Sequence, residues 1–229
     1  MQDLLRNIQI RVNEHIYLKD PESSEIGRKM LNESIGMIHE LGIEAFTFKK
    51  LATALGTTES TIYRYFENKH NLLVYLLAWY WGWLEYEIVL ITMNIEDPAE
   101  RLQKTIESIS DPLKGQLRHD LIDLKLLYEI VIAESPKSFL TKEVDVENEI
   151  GFFVNYKRIC ERIVKNIEEI DSSYPFARTL ALTIVQCANQ HRFFAMHFPN
   201  LTEISPQGTG TGTAVFLTDL VLKSLQNNK

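Results

Sequence analysis

Residues 56–73 read GTTESTIYRYFENKHNLL: four small hydroxyl side chains, Thr57, Thr58, Ser60 and Thr61, precede the aromatic cluster YRYF, and Lys69 follows. Small hydroxyls reach phosphate oxygens or base edges at little steric cost. Tyr63 and Tyr65 add phenolic hydroxyls. Lys69 adds a cation beside a predicted helix N-terminus, where backbone N–H groups already favour an anion. Such a set suits contact with a polyanion rather than covalent chemistry. From spacing alone, packing inside a helical bundle accounts for Tyr63, Tyr65 and Phe66 equally well.

Two short helices would have to position these groups. Thr47 is placed to cap a two-turn helix, FKKLATAL, that ends at Gly56, and Thr58 to cap a second, ESTIYRYF. Helix, glycine turn and helix make a helix-turn-helix, whose second helix enters the DNA major groove with its N-terminal end toward the bases. Ala52 is small where the helices must approach. Leu51, Leu55, Ile62 and Phe66 are spaced for the shared core. Residues 46–70 also form a locally basic stretch, with Lys49, Lys50, Arg64 and Lys69 against Glu59 and Glu67.

Residues 40–73, ELGIEAFTFKKLATALGTTESTIYRYFENKHNLL, resemble the DNA-binding domain of the TetR family of transcriptional regulators. The positions that carry the resemblance are Gly42, Thr47, Ala52, Gly56, Thr58, Tyr63, Phe66 and Lys69. It implies that Thr47, Thr58, Tyr63 and Lys69 contact DNA phosphates, and that Glu59, Ser60, Thr61 and Arg64 lie on or beside the base-reading surface. Three positions depart from the family pattern. Thr57 replaces an apolar turn residue, Glu59 is acidic where relatives are often basic or neutral, and His70 replaces an acid.

The remainder of the chain is predicted to be helical, over 98–109, 117–134, 144–170, 175–197 and 213–227. These follow a helix from Pro21 to Leu41, stopped at Gly42, and a long one from Asn68 or Lys69 to about Ile91. The fold class is therefore all-α: an N-terminal three-helix helix-turn-helix domain at 20–68 and a larger helical ligand-binding and dimerisation domain at 69–229. The preceding segment, 1–19, has a period-2 apolar run that leaves a short strand and an ordered arm both open. The segment LLVYLLAWYWGWLEYEIVL is apolar around most of its girth and reads as a buried helix. By the resemblance it also lines an effector pocket, with Trp79, Trp83 and Tyr86 in the wall. Tyr128, Phe152, Phe153, Tyr156 and Asn189 are further candidates, as aromatic or amide groups on predicted core helices. The apolar C-terminal helix AVFLTDLVLKSL calls for a partner. The resemblance supplies one, a symmetric homodimer through helices 175–197 and 213–227, reading a pseudo-palindromic double-stranded operator.

The net charge of −7 excludes a generally basic nucleic-acid coat protein but not a local DNA-binding face. No apolar run is long enough for a membrane span, and the N-terminus lacks a secretory pattern, so the expected location is the cytoplasm. Cys160 and Cys187 form no CxxC pair and read as reduced packing residues. PQGTGTGT at 206–213 follows no strand and precedes no lysine, so it matches no phosphate loop. No catalytic set, metal ligand spacing or cofactor motif is present. The expected function is a sequence-specific DNA-binding regulator, a repressor released by a small, largely apolar effector. The alternative is a dimeric protein-interaction adaptor of the same fold.

Overall fold

The computed structural model describes residues 10–115, 122–205 and 211–226. Among these residues there are ten α-helices and no strand. They are α1 (Glu25–Ala45), α2 (Phe48–Ala54), α3 (Glu59–Tyr63), α4 (Lys69–Thr92), α5 (Pro98–Ser110), α6 (Leu124–Phe139), α7 (Val144–Glu149), α8 (Val154–Ile170), α9 (Ala177–His197) and α10 (Thr211–Gln226). The all-α expectation holds. No helix among the described residues is long and apolar enough to cross a membrane.

Compactness divides the chain into two units. One joins the described residues through Gly82 to those from 122 to Asn155; the other joins Trp83–Gly115 to the described residues from Tyr156 onward. The first unit therefore contains the short helices α2 and α3 together with α6 and α7, which are remote from them in sequence. The boundary anticipated near residue 68 falls instead inside this unit, because α4 starts there at Lys69 and passes through it.

The described part of the arm, 10–19, forms no strand. Ile10, Val12 and Ile16 are buried, and Glu14–Ile16 makes one 3₁₀ turn capped by Asn13. The rest of the arm, 1–9, lies outside the described residues. Asp20 and Pro21 begin a separate 3₁₀ turn, Pro21–Ser23, rather than α1 itself. Ser24 then caps α1, its hydroxyl accepting from Gly27 N–H at 3.2 Å. Position 27 has no room for a side chain, since a Cβ there would lie 2.2 Å from the Pro21 carbonyl oxygen.

Besides α1, three predicted helices differ from those formed. The helix expected over 144–170 is two, α7 and α8, because Gly151 adopts φ +88° between them. The carbonyls of Ile150 and Gly151 at this break accept from Asn13 Nδ2 at 2.9 and 3.1 Å. The helix expected over 117–134 begins at Leu124, where Asp123 accepts from two backbone N–H groups, and continues past Pro136 to Phe139; residues 117–121 lie outside the described part. The helix expected over 59–66 stops at Tyr63. α4 is buried without interruption from Leu72 to Leu84, as its all-round apolar sequence requires.

Candidate nucleic-acid interface

The pair α2 and α3 closes on a small core. Leu51, Ala52, Ile62 and Phe66 are buried, with Phe48 beside them, and Leu55 is half-buried. Gly56 takes φ +61°, so the chain reverses there, and Thr57 N–H donates back to the Ala52 carbonyl at 2.9 Å. Phe48 meets the ring of Tyr63 edge-on, 5.0 Å between centroids. That contact props a residue which is otherwise 49% exposed.

With Ile62 and Phe66 inward, Thr58, Glu59, Ser60, Tyr63 and Arg64 are exposed and Thr61 is half-exposed. The hydroxyls form a chain among themselves. Thr57 donates to Thr61 Oγ1 at 2.9 Å, and Thr58 Oγ1 lies 2.8 Å from Ser60 Oγ and 3.2 Å from Thr61 Oγ1. The Thr57 hydroxyl, unusual in the turn, thus has its partner. Thr58 occupies the cap position of α3, but its side chain bonds these hydroxyls rather than a backbone N–H. Thr47 is a true cap, accepting from Lys50 N–H at 3.2 Å.

Two groups in this stretch point elsewhere than the sequence suggests. Tyr65 is 3% exposed, and its hydroxyl lies 2.8 Å from Ser24 Oγ at the start of α1. Lys69, expected to reach for a phosphate, directs its ammonium into its own chain. Its Nζ donates to the carbonyls of Ile43 and Glu44 at 2.9 Å each and approaches that of Phe46 at 3.4 Å. Those carbonyls end α1 at the break made by Gly42, whose φ is +73°. An ammonium there complements the negative end of the helix. His70, the third departure, has Nε2 2.8 Å from Glu147 Oε1 of α7. An acid absent from the start of α4 is thus supplied from α7.

The second unit holds a cavity of about 690 Å³ formed by the end of α4, α5, the turn after it and α10. Ile91, Ala214, Val215 and Leu222 supply apolar wall; Glu87, Glu107, Asp111, Asp219, Lys104 and Lys114 supply charge. Lys104 is paired with Glu107 at 2.8 Å and Lys114 with Asp111 at 3.1 Å. None of the residues expected in the pocket wall lines this cavity, whose lining surface is mostly apolar with charged groups set into it. Trp79 is buried in the first unit with its indole N–H donated to Glu22 Oε1 at 2.8 Å. The same oxygen accepts from the Tyr75 hydroxyl, and burial pushes the Glu22 carboxyl above its ordinary pKa. Tyr128 stacks on Tyr80, 6.0 Å between ring centroids, and Phe152 is buried. In the second unit Trp83 is buried and Tyr86 is exposed. Tyr156 accepts from Gln186 Nε2 at 2.8 Å, and Asn189 is half-buried on α9. Cys160, beside Tyr156, is pushed up to about 11 by burial, in line with a packing thiol. The lining residues carry no signal in the sequence because they are ordinary polar and aliphatic types on three separated stretches.

Because Lys69 holds the end of α1, Lys69→Met is expected to cost about 1–2 kcal/mol of stability, through loss of charge-assisted bonds to partly exposed carbonyls. Urea denaturation followed by circular dichroism measures it; an unchanged midpoint contradicts the tether.

Residues 31–76 match the family model for bacterial regulatory proteins, tetR family. Curated protein sequences give no match. Among solved structures, the chain is similar to AibR in complex with isovaleryl coenzyme A and operator DNA. That likeness has 16% identity and a TM-score of 0.59, covering 86% of this chain and 97% of AibR. It is similar to the ketosteroid transcriptional regulator KstR2 of Mycobacterium tuberculosis (17% identity, TM-score 0.56, 87% and 94% covered). It is also similar to the transcriptional regulator FadR from Bacillus subtilis in complex with stearoyl-CoA (15%, 0.61, 86% and 97%). At these identities the likeness is one of fold. The helix-turn-helix thus lies within the segment that matches the tetR-family model, and the chain shares the fold of these solved regulators.

Proposed function

We propose that the chain is a sequence-specific DNA-binding transcriptional regulator that works as a homodimer and releases its operator when a small molecule binds. The observation that carries this is the outward row Thr58, Glu59, Ser60, Tyr63 and Arg64, displayed by α3 from a closed two-helix core. In this reading Thr47, Thr58 and Tyr63 donate to phosphates, while Glu59, Ser60, Thr61 and Arg64 face base edges. A carboxylate at position 59 suits the N4 amine of cytosine. Lys69 acts by fixing the end of α1, a change from the direct phosphate role implied by the resemblance.

Pairing of two chains is supported by apolar residues left exposed on α9 and α10 and the turn between them. Leu182, Phe194, Phe198, Leu201, Val215, Phe216 and Leu220 are exposed, while the opposite face of α10 buries Ala214, Leu217, Val221 and Leu225. A helix with a second apolar face is stable in water once that face is covered. A two-fold pair then presents two α3 helices to a pseudo-palindromic duplex.

For the effector we assign the 690 Å³ cavity. Its paired charges and apolar patches suit an amphipathic molecule. The acyl-coenzyme A ligands of AibR and FadR make that class the first to screen. Effector and operator favour different arrangements of the dimer and therefore weaken one another reciprocally.

Binding measured by fluorescence anisotropy on the DNA upstream of the gene is expected to separate the roles on α3. Tyr63→Phe keeps the ring on Phe48 and weakens operator and scrambled duplex alike. Arg64→Ala alters the ranking of sequences, by about 1–3 kcal/mol at the position read. Equal loss on every sequence for Arg64→Ala contradicts base reading.

For the cavity, a molecule that raises the melting temperature of the protein and lowers its DNA affinity is expected to lose both effects in Leu222→Trp. This substitution fills the wall, and ligand-free DNA binding should stay unchanged. Retention of both effects places the effector elsewhere.

A further inference from the structure

The basic side chains around the helix-turn-helix fall into two groups. Arg28 donates to the Glu22 carbonyl, Lys29 pairs with Glu25, Lys50 donates to the Ala45 carbonyl and Lys69 holds the end of α1. Among the described residues from 19 to 69, Lys19, Lys49 and Arg64 remain without a hydrogen bond or ion pair, and all three are exposed. Lys49 and Arg64 belong to α2 and to the end of α3. Lys19 comes from the arm, outside the segment that matches the family model.

Lys19 is nonetheless held beside α3. The N–H of the preceding Leu18 donates to the Tyr65 carbonyl at 2.8 Å, and the Lys19 ammonium lies 5.2 Å from the centroid of the Tyr65 ring. Tyr65 is fixed in turn by Ser24 at the start of α1. The neighbouring acid, Asp20, is turned away, accepting from Glu22 N–H at 2.8 Å. The arm is fastened at its other end too. Asn155 Nδ2 donates to the Arg11 carbonyl at 3.0 Å, and Ile10 lies against Gly82, where a Cβ would come within 2.6 Å of it. A long flexible cation is thus pre-positioned on Tyr65, the residue that follows Arg64 just past the C-terminal end of α3, while its charge stays open to solvent. The attraction between ammonium and ring face limits its motion without neutralising it.

We propose that Lys19 is a DNA-backbone contact, so that the arm forms a second edge of the interface and grips a phosphate flanking the bases that α3 faces. This rests on the DNA-binding reading above. It gives the arm a role as part of the DNA grip, and it replaces the cation that Lys69 has committed to the end of α1.

The test compares wild type, Lys19→Ala and Lys19→Arg on the upstream duplex and on a scrambled duplex, with the dissociation constant followed against NaCl concentration. Each phosphate neutralised contributes about 0.9 to the log–log slope. Lys19→Ala is expected to make the slope shallower by about that amount per chain and to weaken both duplexes equally; Lys19→Arg is expected to restore both. Melting temperatures taken alongside separate this role from a structural one. A lower melting temperature for Lys19→Ala with an unchanged salt slope overturns the proposal, and so does a loss confined to one duplex. If wild type binds neither duplex at low salt, the DNA-binding reading itself fails, a result distinct from wild-type binding that Lys19→Ala leaves intact.

Discussion

The break in α1 at Gly42 is the constraint on which the DNA-binding unit depends. With φ +73° and ψ 157° the residue interrupts the helical hydrogen-bond ladder and lets the chain turn through Phe46 into α2. The interruption exposes backbone groups that need partners. Lys69 supplies donors to the carbonyls that follow. Glu134 of α6 accepts from Ile43 N–H at 3.2 Å, and Lys137 backs the same side chain at 2.8 Å. The end of α1, the start of α2, the start of α4 and the body of α6 are thereby fixed at one point. The orientation of α3 follows, because its core face packs on α2 and its end is tied to the arm.

Two further contacts bind the same pieces. His39 Nε2 lies 2.5 Å from Glu129 of α6, and His70 pairs with Glu147 of α7. They join the helices on either side of the α2–α3 pair, α1 and α4, to a segment more than seventy residues away in sequence. They account physically for a compact unit that includes 122–155 rather than ending near residue 68. A change in α6 or α7 therefore reaches the base of α4 and the end of α1 through direct bonds, without passing through α2 or α3.

Much of this was legible in the sequence where local chemistry decides the outcome. Thr47 as a cap, the glycines at 42 and 56, and the apolar positions Leu51, Ala52, Ile62 and Phe66 follow from caps, turns and spacing, and the structure has them as read. What escaped depends on long-range partners. Tyr65 looks like Tyr63 in sequence and differs only because Ser24 and the arm cover it. Lys69 reads as a free cation until the carbonyls at the end of α1 are placed beside it. Gly151 breaks a predicted long helix because Asn13, far away in the chain, stabilises the turn. Aromatic and amide groups on core helices suggest a pocket wall in the sequence, yet the core also uses such groups for packing, as with Trp79 on Glu22 and Tyr128 on Tyr80. The cavity of the second unit is lined by ordinary polar and aliphatic residues that only the packing of α5 and α10 brings together.

The central claim is that two copies of the exposed row on α3 read duplex DNA as a two-fold pair. Selection of a random duplex library by the wild-type protein, followed by sequencing, tests it most directly. The account predicts enrichment of two inverted half-sites at a fixed spacing, as a dimeric helix-turn-helix requires. Enrichment of a single unrepeated site, or a selected pool indistinguishable from the starting library, would contradict it.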